Sequence, residues 1–185
     1  MQNAGSGSLR TYLCPPHLCP LLYPYNLRPM NRISRLLTPA DVLLNFSASS
    51  KKRLFEHAGL LFENNHSVEK GKVFDSLFAR ERLGSTGLGS GVAVPHGRIK
   101  GLKAPLAAIV VLSDAISFEA SDGQPVKLLV FLLVPENANE EHLEILSEVA
   151  ELLSDDALRT TLIAATDPSQ IHAALNAWTP YQTSP

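Results

Sequence analysis

The stretch Gly84-Ser-Thr-Gly-Leu-Gly-Ser-Gly-Val-Ala-Val-Pro-His-Gly-Arg98 organises the reading of the whole chain. Gly84, Gly87, Gly89 and Gly91 lead into the apolar run Val92 to Val94, which ends in Pro95-His96-Gly97. Glycine lets the backbone turn sharply and approach a ligand with no Cβ in the way. The apolar run reads as a buried strand, so His96 stands where a strand leaves the core. Pro95 and Gly97 pin the backbone on either side, and Gly97 leaves one side of the ring uncovered. A neutral imidazole there can act as nucleophile, base or phosphoryl acceptor, depending on which nitrogen carries the proton. A lone histidine satisfied by nearby backbone is the plainer reading, and the glycine frame tilts the choice toward anion chemistry.

Two well-known glycine loops do not fit this stretch. It lacks the Gly-Lys-Ser/Thr ending of a P-loop. Gly87-Leu-Gly-Ser-Gly91 precedes a strand, whereas the dinucleotide fingerprint follows a strand and opens a helix.

Working outward, Ile33, Leu36 and Leu37 have helical spacing and Thr38-Pro39 ends them. Val42 to Phe46 reads as a first strand. Ser47 to Ser50 offers N-caps for a helix to about Asn64, with Leu54, Ala58, Leu61 and Phe62 on one face. Ser67 is expected to cap a second helix whose stripe is Val73, Phe74, Leu77 and Phe78, closed by Arg80-Glu81-Arg82. Beyond the glycine stretch, Ala104 to Leu112 reads as a strand buried on both faces. Ser113 to Ala120 is a weaker segment with Phe118 as an edge residue, and Val126 to Val134 is a central strand. Helices are expected from Asn139, from Asp155-Asp156, and from Asp167-Pro168, where proline suits the first helical position. Helices and strands alternate without a repeat, which gives an α/β class with a mixed central sheet flanked by helices.

His142 is the natural companion of His96. It falls in the first turn of the helix after the Val126–Val134 strand, where free amides favour an anion. If the two strands run the same way, the two histidines meet at one sheet edge. A surface histidine at a helix start is an equal alternative. Arg80 and Arg82 are candidate phosphate clamps, or ordinary cations closing a helix. Gly87, Gly89 and Gly91 offer amides to the same anion. His57, His66 and His172 read as surface positions. A histidine pair holding zinc lacks an evident third ligand, so no metal and no cofactor are expected.

Composition bounds the rest. A chain of 185 residues, 45% hydrophobic and 18% charged, suits one globular domain with a substantial core. A formal charge of −2 gives no footprint for nucleic acid, and no apolar run is long enough for membrane insertion. Residues 1–29 differ from the remainder: they hold Pro15, Pro16, Pro20, Pro24, Pro29 and both cysteines, and no acidic residue. They read as a disordered leader or upstream extension, with Met30 as a possible start, and only weakly as a secretory signal, because Leu18 to Leu22 is short and broken by Pro20. Cys14-Pro-Pro-His-Leu-Cys19 has no second half-site for a metal knuckle. The expected organisation is therefore a leader over 1–29, a domain over 30–180 and a tail over 181–185. With no cysteine after Cys19, a reducing cytoplasm fits.

The run from Arg80 to Arg98 resembles the active-site region of the enzyme IIA domains of the bacterial phosphoenolpyruvate-dependent phosphotransferase system. It looks closest to the nitrogen-regulatory type, related to the fructose and mannitol IIA domains, and Glu141-His-Leu-Glu-Ile-Leu146 resembles the family's second histidine region. The resemblance implies a mannitol-type IIA fold. It implies a transiently phosphorylated His96, with His142 as second active-site histidine and Arg80 as the pocket arginine. The implied donor is an HPr-like phosphocarrier, and the implied output is phosphorylation-dependent binding of regulated partner proteins. The chain as read carries no IIB or membrane IIC segment, which favours that regulatory type. Transfer to a sugar-specific IIB domain, or a binding module without transfer, are the alternatives.

Overall fold

The computed structural model describes residues 31–137 and 140–179, with the side chains of residues 140–142 excluded. The leader 1–29 with its cysteines and the tail 181–185 lie outside the described residues. Six strands form one mixed sheet: β1 (Val42–Phe46), β2 (Gly87–Gly89), β3 (Val92–Ala93), β4 (His96–Ile99), β5 (Leu106–Ile116) and β6 (Val126–Pro135). The order is β1-β5-β6-β3-β2, with β4 also pairing β6. β1 runs parallel to β5, β5 antiparallel to β6, and β3 and β4 both parallel to β6.

The central strands are apolar on both faces because helices cover both. Along β6, Leu128, Val130, Leu132 and Val134 point to one side and Leu129, Phe131 and Leu133 to the other, the period-2 alternation of a pleated strand. The first side packs on α1 (Arg32–Leu36), α4 (Glu140–Ser154), α5 (Asp156–Ala164) and α6 (Pro168–Ala177). The second packs on α2 (Lys51–His66) and α3 (Lys70–Glu81) through Leu54, Phe55, Phe62, Val73 and Leu77. Each such side chain taken fully out of water contributes about 1.5–3 kcal/mol. Among the described residues no helix is long and apolar enough to cross a membrane.

Four local expectations change. Ser67 does not start α3; it ends α2 in the left-handed region at φ 57°, its amide donating to the Glu63 carbonyl and the Val68 amide to the Phe62 carbonyl, and Glu69 occupies the N-cap of α3. Phe118 is no edge residue but fully buried, edge-on to Phe55 at 6.2 Å, because the chain after β5 folds back over α2. His96 does not end a strand. The strand breaks at Val94-Pro95 and resumes, so His96 opens β4. Proline has no N–H for the ladder, while its carbonyl still accepts from the Leu132 amide at 3.0 Å. His66 is not a plain surface group, because its Nε2 lies 2.7 Å from the Asp41 carboxylate.

Asp41 is fully buried where the 3-10 turn Pro39–Asp41 enters β1. Burial opposes its charge, but hydrogen bonds from the Thr38 hydroxyl, Asn65, the Thr38 amide and His66 outweigh it and hold the pKa below the ordinary 3.8. A carboxylate with a lowered folded pKa stabilises the fold above its unfolded pKa and loses that contribution as pH falls through the folded value. We expect Asp41→Ala to lower the unfolding free energy by about 3 kcal/mol near neutral pH. In urea titrations, the gap between the native protein and Asp41→Asn should hold above about pH 5 and shrink as pH falls past 3.8 toward the lower folded value. A gap independent of pH contradicts the assignment.

Candidate functional site

α3 lies against the start of β4 because Gly97 has no side chain. A Cβ there would sit 2.5 Å from the Ser76 Oγ, 3.1 Å from the Ser76 Cβ and 3.3 Å from the Leu77 amide nitrogen. The Ser76 hydroxyl donates to the Arg98 carbonyl at 2.8 Å and ties helix to strand. Arg80 is four positions on from Ser76, one turn along the same face of α3. The close approach therefore delivers its guanidinium to His96.

The imidazole is held at both nitrogens. Nδ1 lies 2.9 Å from the Val94 carbonyl, which can only accept, so Nδ1 carries the proton. Nε2 receives the Arg80 Nε–H at 3.0 Å, and an arginine can only donate, so Nε2 presents its lone pair. The two partners together specify the neutral Nδ1–H tautomer. A second guanidinium nitrogen of Arg80 donates to the Gly84 carbonyl at 2.9 Å and fixes the other end of the fork.

His96 and Arg80 open on a cavity of about 460 Å³, shared with Ser76, Leu83, Leu132 and Leu143. Leu83 is 86% exposed and Leu143 60% exposed, so exposed apolar surface rims the cavity that the imidazole lines. The parallel pairing of β4 with β6 sets His96 opposite Leu132, near the end of β6 from which the chain proceeds to α4. His142 lies in the first turn of α4; its side chain is outside the described residues, and Leu143 and Leu146 of the same helix line the cavity.

The structure does not bring Gly87, Gly89 and Gly91 to this cavity. Val92, next to Gly91, pairs with Leu128, four residues before the Leu132 partner of His96, which is about 13 Å along the strand. Their role there is conformational. Gly89 and Gly91 have φ 92° and 75°, and the turn's Ser90 amide is already engaged by the Asp122 carboxylate at 2.7 Å. Gly87 lies where a Cβ would meet that of Ala120 at 2.8 Å. Arg82 stacks over the Phe78 ring at 5.1 Å and does not line the cavity.

Sequence reasoning missed the Val94 carbonyl, the Gly97–Ser76 contact and the Leu83–Leu143 rim. An exposed leucine just past a helix end was the one available signal for the rim.

A family model described as "Phosphoenolpyruvate-dependent sugar phosphotransferase system, EIIA 2" matches residues 35–178. The chain belongs to this family. It is 43% identical over 137 residues to a nitrogen regulatory protein of Pseudomonas aeruginosa, covering 74% of this chain and 89% of that one. Its structure is similar to that of the nitrogen regulatory protein IIA-Ntr from Neisseria meningitidis, with TM-score 0.75, 46% identity, and 78% and 99% of the two chains covered. The Escherichia coli IIA mannitol structure shares the fold at TM-score 0.65 and 23% identity, covering 75% and 98%. A fructose-specific EIIABC component of Bacillus subtilis is 28% identical over 146 residues, covering 78% of this chain and 23% of that longer protein. The mixed sheet flanked by helices is thus the mannitol-type IIA fold, and the chain is a phosphotransferase-system IIA of nitrogen-regulatory type.

The Gly97 contact gives a direct expectation. Gly97→Ala should force α3 away from β4 at a cost of about 1–3 kcal/mol. It should also lengthen the Arg80–His96 hydrogen bond, seen as faster solvent exchange of the Arg80 Nε–H in proton NMR. Unchanged exchange with unchanged stability contradicts the contact.

Proposed function

We propose that the chain is a phosphoryl-accepting regulator, phosphorylated on Nε2 of His96 by an HPr-like phosphocarrier and acting through phosphorylation-dependent binding of partner proteins. The observation that carries this reading is the doubly held imidazole, with Nδ1–H on the Val94 carbonyl and Nε2 accepting from Arg80, where His96 and Arg80 both line the open cavity.

In this mechanism the Nε2 lone pair attacks the phosphorus of a donor phosphohistidine in line. The new Nε2–P bond forms as the donor N–P bond breaks, and the donor nitrogen leaves with the electron pair of that bond. The ring proton stays on Nδ1. As positive charge grows on the ring, the Nδ1–H···O=C bond to Val94 strengthens. Arg80 covers the Nε2 lone pair in the resting protein and must release it when the phosphoryl group arrives. Its guanidinium then serves the equatorial oxygens, so positioning and charge stabilisation do the work. His142, at the start of α4, is the second candidate to contact those oxygens. Leu83 and Leu143 supply apolar rim for a docking phosphocarrier, consistent with exposed apolar patches at protein contacts.

The test is label transfer from phosphoenolpyruvate through enzyme I and an HPr-like phosphocarrier. His96→Ala should take up no label. Arg80→Gln should remain folded and slow transfer about 10²-fold, the scale for removing one donor to developing charge. His142→Ala should fold normally and transfer more slowly. Normal uptake by His96→Ala overturns the assignment, and an unchanged rate in His142→Ala returns that residue to the helix surface.

A further inference from the structure

Beside Arg80 on α3, Glu81 points away from the cavity, and its side chain is only 6% exposed. One carboxylate oxygen accepts from Lys51 Nζ at 2.8 Å. The other accepts from the Thr86 amide at 3.0 Å and the Thr86 hydroxyl at 2.6 Å. Lys51, in the first turn of α2, also donates to the Phe118 carbonyl at 3.1 Å and sits 4.5 Å from the Phe118 ring centroid. The Ser85 hydroxyl donates to that same carbonyl at 2.5 Å. A buried carboxylate is tolerated only with such partners, and losing one of them is costly.

These bonds run to both sides of the imidazole. Clamping Thr86 to Glu81 closes residues 82–85 into a loop, and this loop presents the Gly84 carbonyl that holds the Arg80 guanidinium at 2.9 Å. The Thr86 carbonyl in turn accepts from the Val94 amide at 3.0 Å, and the Val94 carbonyl accepts the His96 Nδ1–H. One side chain thereby sets both the donor on Nε2 and the acceptor on Nδ1.

We infer that Glu81, bridging Lys51 to Thr86, is a positioning residue for phosphoryl acceptance, holding His96 in the Nδ1–H tautomer with Arg80 at its Nε2. The consequence for transfer rests on the reading of His96 as phosphoryl acceptor; the consequence for hydrogen bonding does not. Glu81 touches neither the cavity nor His96. Its loss should release the loop that carries both the Gly84 carbonyl and the rim residue Leu83, and blur the geometry of the reacting nitrogen, where small displacements are costly in rate.

Two measurements on the full chain test this with Glu81→Gln and Thr86→Val; the second removes the hydroxyl while nearly keeping the side-chain shape. The first needs no phosphoryl donor. By proton NMR, the Arg80 Nε–H and His96 Nδ1–H should exchange with solvent at least about tenfold faster in both variants. The amides of Leu129 and Phe131 in β6 should keep their protection. In the second, the transfer rate at saturating phosphocarrier should fall about tenfold or more, and Thr86→Ser should restore the rate. Unchanged exchange at both side chains overturns the inference whether or not phosphoryl transfer occurs. Native transfer rates in both variants overturn it too, as does equal loss of protection across β6, which marks Glu81 as general structural support. If the native protein accepts no phosphoryl group, the functional reading fails, and the exchange measurement still decides the role of Glu81.

Discussion

The hydrogen bond from His96 Nδ1 to the Val94 carbonyl is the constraint on which the proposed phosphoryl acceptance depends. A free neutral imidazole exchanges its proton between two nitrogens and offers either as a nucleophile. Here a backbone acceptor at 2.9 Å on one side and a guanidinium donor at 3.0 Å on the other leave one tautomer. The backbone break at Val94-Pro95 makes this possible. It turns the Val94 carbonyl toward a side chain two residues ahead while β4 goes on to pair with β6.

The rest of the fold can be read as support for that geometry. Gly97 lets α3 come close enough for Arg80 to reach the ring. Two apolar layers on a sheet whose central strands are buried on both faces keep β4 and β6 in register. The buried Lys51–Glu81–Thr86 bridge closes the loop between α3 and β2. Apolar surface at Leu83 and Leu143 remains open beside the imidazole, so a rigid site and an accessible rim occupy the same edge of the sheet.

Much of this was legible in the sequence. The unbroken apolar runs of β5 and β6 predict a buried sheet, and the 3–4 spacing in α2, α3 and α4 predicts the layers on it. Arg80 and His96 could be paired because the resemblance to IIA domains spans both. The glycines misled as phosphate ligands because glycine enrichment marks positive φ and close packing as readily as an anion site. Phe118 misled and Glu81 went unassigned for a shared reason: an isolated aromatic in a polar segment, or a carboxylate in a helix's last turn, gains its meaning from contacts distant in sequence. The clamp of Glu81 on Lys51 spans 30 residues, and no local pattern announces it.

The most direct measurement of the central claim is the site of attachment on the ring. The protein would be labelled with 15N-histidine, phosphorylated through a phosphoenolpyruvate, enzyme I and phosphocarrier mixture, and observed by 15N and 31P NMR. The hydrogen-bond pattern predicts a single phosphohistidine at His96 with phosphorus coupled to Nε2 and the proton retained on Nδ1. Phosphorus on Nδ1, or on a histidine other than His96, would contradict the account.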